Sequence, residues 1–378
     1  MALPPLPLGD ASLRERHLLA LPAEVEADEV EVLAASRFAA ARWDEDPAAT
    51  ERPARRPITA AFGIRAVGAQ PAPARVLRLG RLSHLVGPYA VTPQDAVALG
   101  LPTGTATAFS VVAPTERGEP PYPGGDRDGL KRAFPRGLPV REEERVVLWL
   151  VAAARRFGGA VRIGGTGAVL TPEVDAAIDL TVLTDRWVEP EQALLVVRTV
   201  APRARPSEAT AVWEGPMPGS GRHAAAGLPA GISEPGGTGL SATLRERGVQ
   251  DERERRHLMD EASAFDELML AAPPLPEGFG VLVDLGVDGV VAVEVSAAET
   301  LPPLIAPLPW AQKGVVAYRI HWEPPDVEEL ERERPSHPHR VARSRALPMV
   351  QAIARALLAH VGGEVVDEAD FLVDPADL

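Results

Sequence analysis

Three histidines lie close together in the second half of the chain, and imidazole is a side chain that binds zinc. They are His321, His337 and His339, and the carboxylate of Glu323 follows the first of them by two residues. Three imidazoles and a carboxylate form a donor set for Zn²⁺, which predicts a metal-dependent hydrolase. The spacing follows none of the established zinc motifs, and the alternative interpretation is three partly exposed histidines in a basic loop.

Two basic segments each stand just before a predicted helix. Free N–H groups at a helix N-terminus, together with guanidinium groups, bind carboxylates and phosphates. The arginines therefore predict a sensor of a small anionic ligand, and the alternative is that they pair with the many acidic residues nearby. The candidate ligand-binding residues are Arg136 in the first segment and Arg340, Arg343 and Arg345 in the second.

Motifs of a catalytic centre do not accompany these candidates. The chain has no cysteine, which excludes disulfides, thiol catalysis and iron–sulfur clusters. Gly164–Gly167 joins two predicted strands and opens no helix, so it lacks the mechanics of a phosphate-binding loop. No serine stands in a nucleophile-elbow sequence. These features favour a protein that is not an enzyme and carries no cofactor.

Two stretches of the chain resemble one another and predict the elements that carry the candidate residues. The matching pairs are Ala108–Val112 with Ala317–His321, Arg136–Pro139 with Arg345–Pro348, and Phe157–Val161 with Val361–Val365. Strand, basic segment, Leu-Pro, helix and Gly-Gly recur in one order. An internal duplication is the interpretation, and it points to the joint between the copies as the site.

The predicted fold is α+β, with two pseudo-repeated strand-helix-strand-strand units on a mostly antiparallel sheet, an N-terminal extension and a flexible central linker. The helices 141–157 and 347–361 are expected on one face of a single sheet, and 178–183 and 193–200 are expected as strands. The predicted boundaries are 1–104 for the extension, 105–200 for the first repeat, 201–248 for the Gly- and Pro-rich linker, and 249–378 for an amphipathic helix with the second repeat.

Composition restricts the partners and the compartment. The formal net charge of −14 argues against nucleic acid and anionic membranes as partners, since both would repel the chain. The most apolar run, Val146–Ala154, is far shorter than the roughly 20 residues of a membrane span. Basic residues are almost all arginine, which is typical of a GC-rich bacterial genome. We expect a cytoplasmic bacterial protein, foremost a non-catalytic module that binds a protein partner or a small anionic ligand.

Overall fold

A computed structural model of the chain describes residues 3–44, 74–207 and 278–378, with a few isolated positions between 251 and 260. Most of the predicted helix at 249–271 and most of the predicted linker at 201–248 lie outside the described residues. Arg205 and Pro206, which belong to the predicted linker, form a short strand.

The apolar segments of the described residues form two antiparallel sheets. The first has the order β2-β3-β4-β5-β1-β6-β7 and the second the order β9-β10-β11-β12-β8-β13. The strands of the first sheet are β1 His17–Leu21, β2 Arg42–Trp43, β3 Arg75–Arg78, β4 His84–Ala90, β5 Thr107–Val112, β6 Ala160–Arg162 and β7 Val169–Leu170. Those of the second are β8 Leu180–Thr184, β9 Arg205–Pro206, β10 Phe279–Asp284, β11 Val290–Ala297, β12 Val316–Glu323 and β13 Glu364–Asp367.

The helices lie mainly against one face of each sheet. Their bounds are α1 Ala27–Arg37, α2 Pro93–Leu99, α3 Leu130–Ala133, α4 Arg141–Phe157, α5 Pro190–Arg198 and α6 His337–Val361. Helices α1 and α4 pack with the first sheet, where the indole of Trp149 donates a hydrogen bond of 3.0 Å to the carbonyl of Leu33. Helices α5 and α6 pack with the second sheet. None of the described helices has the length and apolar character needed to cross a membrane.

The α+β class is confirmed, and the strands are divided between two sheets where one was expected. The two sheets repeat a single strand order, because β2-β3-β4-β5-β1-β6 and β9-β10-β11-β12-β8-β13 correspond position by position. A helix follows β1 and β8, and a second helix joins β5 to β6 and β12 to β13. The correspondence therefore extends well beyond the segments that resemble one another in sequence.

The repeated Gly-Gly pair has the same role in both halves. Gly158 and Gly362 end α4 and α6 with φ of 63° and 72°, a backbone region that glycine adopts without steric cost. A Cβ on the following residue, Gly159 or Gly363, would overlap with a backbone carbonyl of the neighbouring strand, in Ala20 or Leu183 respectively. The first glycine turns the chain and the second allows the new strand to approach its neighbour.

The predicted N-terminal extension contains the strand that completes the first sheet. Strand β1 pairs with β5 on one side and β6 on the other, and all five of its residues are buried. A short strand that is covered on both faces shows no alternation of polar and apolar residues, so periodicity did not reveal it. Likewise, residues 180–198 of the predicted first repeat belong to the second sheet and its helix α5.

Two predicted local structures need correction. Residues 193–200 were expected as a strand, but most of them lie in α5, which begins at Pro190 and buries Ala193 and Val197 on one face. Helix α6 begins ten residues before the predicted start at Leu347, because Ser336 caps its N-terminus. The helix continues through Pro348, so the segment expected as a basic loop is helical.

The two halves, residues 17–170 and 180–373, share one packed structure in the described part of 1–207 and 279–378. The hairpin after β13 places Phe371 in the core of the first half, where its side chain is 0% exposed. Salt bridges cross the same junction, joining Arg37 to Asp370 at 2.6 Å and Arg132 to Glu333 at 2.6 Å. We call residues 171–179, which lead from one half to the other, the connector.

Candidate functional site

The three histidines of the predicted zinc site lie on different faces of the second half. His339 is buried beneath the ring of Trp322, with 5.1 Å between the ring centroids. His321 is the residue before Trp322 in β12, so its side chain lies on the opposite face of the sheet, where it meets Glu323 at 3.2 Å. His337 is exposed in the first turn of α6. Among the residues that the structure describes, no group of three or more suitable side chains could hold a metal ion.

Burial also affects the titration of His339. Desolvation lowers its pKa from the usual value, and the charge of Arg343 lowers it further. The neutral imidazole is therefore favoured, which suits a ring packed against Trp322. The structure gives His339 a packing role in the second core.

The three arginines of the second basic segment line one cleft. This cleft has a volume of about 750 Å³ and is formed by the connector on one side and the first turns of α6 on the other. We call it the junction cleft. Its lining residues are Glu173, Val174, Asp175, Ile178, His337, Arg340, Val341, Arg343, Ser344, Arg345 and Leu347.

The arginines of the junction cleft differ in how far their charges are engaged. Arg343 is 5% exposed and its Nη2 lies 2.8 Å from a carboxylate oxygen of Glu173, so it anchors the connector to α6. Arg345 is largely exposed and reaches Asp288 at 3.4 Å. Arg340 is exposed and has no ion-pair partner among the described residues. The cleft thus offers one uncommitted guanidinium, one loosely paired guanidinium and the imidazole of His337.

Arg136 lies apart from the other three arginines. It lines a separate cleft of about 670 Å³ on the first half, next to Arg117, Phe134 and the Gly164–Gly167 turn. The amide of Gly165 in that turn donates to the carbonyl of Arg14, so this N–H is already engaged. The structure therefore does not bring Arg136 to the junction cleft.

A cluster of two buried residues, His17 and Glu143, with the exposed Arg117 lies beside that cleft and was not found from the sequence. Nε2 of His17 lies 3.1 Å from Glu143, whose carboxylate also binds Arg117, and the amide of Gly164 donates to Nδ1 of His17 at 3.2 Å. Burial acts to raise the pKa of Glu143, but hydrogen bonds from His17, Arg117 and the Glu116 amide outweigh it and hold that pKa below its usual value. Both imidazole nitrogens of His17 are engaged in these hydrogen bonds, which fix the orientation of the ring.

Paired charges line the rest of the junction between the halves. Arg155 donates to Glu368 at 2.8 Å and also pairs with Asp128, while Arg127 binds the same Glu368. Arginines that pair with acidic neighbours were the alternative interpretation of the basic segments, and it applies to Arg132, Arg343 and Arg345. It does not apply to Arg340.

A second cavity of about 300 Å³ adjoins the junction cleft, and we call it the junction chamber. The two cavities share the wall formed by Val174, Ile178 and Leu347. The remaining residues of the chamber are Ala152, Arg155, Arg156, Ala177, Leu180, Gln351, Asp367, Glu368, Ala369, Val373, Asp377 and Leu378.

Comparison of the chain with protein-family models, with curated proteins and with solved structures gave no match. The chemistry of the two cavities therefore carries the functional argument.

Proposed function

We propose that this chain is a non-catalytic, cytoplasmic bacterial protein that binds a small anion, a carboxylate or a phosphate, in the junction cleft. The observation that carries the proposal is that Arg340, Arg343 and Arg345 line one cleft with His337. Three arginines outnumber the two acids of the lining, Glu173 and Asp175, in a chain whose formal net charge is −14.

The arginines have different roles in the proposed site. Arg343 holds Glu173 and so positions the connector wall, whereas Arg340 is the direct ligand because its guanidinium is uncommitted. Arg345 exchanges a long contact with Asp288 for a contact with the anion. A guanidinium binds a carboxylate or phosphate through two parallel hydrogen bonds, which is the geometry that an oxyanion requires.

An internal duplication that covers the described parts of residues 17–170 and 180–373 is part of the proposal. The shared strand order and the two Gly-Gly pairs support it, and a site at the joint between copies is where such architectures place a ligand. The basic segment of the second half lines the junction, whereas Arg136 of the first half does not, so the site is asymmetric.

Isothermal titration calorimetry with inorganic phosphate tests the proposal. The Arg340→Ala variant should bind phosphate about tenfold to a hundredfold more weakly than the parent, the loss of one charge-assisted hydrogen-bonding group. Arg81→Ala is the matched control, because it removes an equal charge from an exposed loop outside the cleft. Equal weakening by both variants would mean that net charge alone governs binding, and absence of heat with the parent protein would refute the site.

A further inference from the structure

The junction chamber differs in chemistry from the cleft beside it. Among its charged residues, Arg155 binds Glu368 and, outside the chamber, Asp128, whereas Arg156 is exposed and forms no salt bridge among the described residues. Asp367 accepts hydrogen bonds from the amides of Ala369 and Phe371 at 2.8 and 3.0 Å. Because Arg155, Glu368 and Asp367 already have hydrogen-bond partners, they contribute little to ligand binding. The apolar wall of the chamber is therefore the surface that a ligand would contact most favourably.

One face of α6 runs along both cavities. Arg340 and Ser344 line the cleft, Leu347 lines both cavities and Gln351 lines the chamber. These residues follow the spacing of neighbouring helical turns, and about 16 Å of helix separates the first from the last. A ligand lying along this face would meet a guanidinium at one end and apolar side chains at the other.

We infer that the anion bound by the junction cleft carries a single apolar chain, which occupies the junction chamber. The inference rests on the proposed function, because the charged head is held by Arg340. It adds the ligand class, a single-chain amphipathic anion. Val174, Ile178 and Leu347, which line both cavities, contact the apolar chain where it passes from one to the other, and Ala177 and Val373 are further apolar side chains of the chamber.

A series of straight-chain carboxylates distinguishes the contribution of the charged head group to affinity from that of the ligand's apolar chain. We expect affinity, measured by calorimetry, to rise from acetate through butyrate and hexanoate to octanoate. Each methylene that enters the chamber should tighten binding by about threefold to fourfold, until the chamber is full. The Arg340→Ala variant should weaken every member by the same factor and leave the slope of the series unchanged.

Substitutions that fill the junction chamber test whether the ligand's apolar chain lies there. Ala177→Phe puts a ring into the chamber, so it should flatten the series while acetate and phosphate bind as before. Ala152→Leu fills the chamber from α4 and should reduce the slope in the same way, which guards against misfolding of either variant. Ala306→Phe, the same change at an exposed loop position outside both cavities, is the matched control.

The outcomes distinguish the two proposals. One outcome is phosphate binding that depends on Arg340 together with an affinity for carboxylates that does not change with chain length. That result would overturn the proposal that an apolar chain occupies the junction chamber, and it would leave the anion site intact. A steep series that persists in both filled variants would also overturn it, because the chain would then lie elsewhere. Failure of the parent protein to bind phosphate and every carboxylate would refute the anion site itself.

Discussion

Replacing Phe371 by alanine should weaken the attachment of the two halves to one another. The ring belongs to the second half, is 0% exposed and packs within the core of the first half. Its backbone hydrogen bonds with Asp367, of 2.9 and 3.0 Å, do not depend on the side chain. Loss of a buried phenylalanine costs about 3–5 kcal/mol, which combines the lost burial with the cavity left behind.

Urea denaturation followed by far-ultraviolet circular dichroism measures this cost. With a slope of about 3 kcal/mol per molar urea, the midpoint should fall by roughly 1 M or more. Val327→Ala is the control, because that side chain is 65% exposed in the second half and its loss should change stability by less than about 0.5 kcal/mol. If Phe371→Ala unfolds at the same urea concentration as the control, the hairpin is not docked in the first core and the junction is wrongly described.

Three further substitutions test local features. Pro348→Ala should raise the free energy of unfolding, measured in thermal or urea melts, by up to about 3 kcal/mol. The reason is that alanine restores the backbone hydrogen bond to the carbonyl of Ser344 in α6. An unchanged free energy of unfolding would contradict a helix at this position. Burial raises the pKa of Asp179 above 3.8, so the folded state binds this proton more tightly than the unfolded state and loses stability as pH rises through the folded pKa. Asp179→Asn should therefore stabilise the protein at pH 7, and the gain should vanish in melts well below pH 3.8. Gly363→Ala should lower the free energy of unfolding by roughly 1–3 kcal/mol more than Gly362→Ala does. Both positions have positive φ, but only at Gly363 would a Cβ meet a strand carbonyl, that of Leu183. Equal losses of stability would exclude that close approach.

The sequence predicts the fold best at positions where the local structure requires one particular residue type. The Gly-Gly pairs after α4 and α6 are such a case, since a helix end and a close strand contact both require glycine. Helix α4 was predicted with its observed bounds, because its apolar stripe is long and ends at Gly158. Strand β1 was not predicted, because a strand buried on both faces has no period to detect.

The site was predictable only in part, because α6 begins earlier than the sequence indicated. Arg340, Arg343 and Arg345 were identified from their charge, but the cleft they line depends on the cap at Ser336, which makes their segment helical. Their acidic partner Glu173 lies far away in sequence and meets Arg343 only through the fold. Non-local pairings of this kind leave no local pattern in a single sequence.

The measurement that tests the central claim most directly is the anomalous scattering of selenate in crystals of the parent protein and of Arg340→Ala. Selenate has the charge and shape of an oxyanion, and selenium marks its position without ambiguity. The anion site predicts a peak in the junction cleft within hydrogen-bonding distance of the Arg340 guanidinium, and loss of that peak in the variant. A parent crystal whose selenate peaks all lie outside the junction cleft, or a peak that persists unchanged in the variant, would contradict the claim.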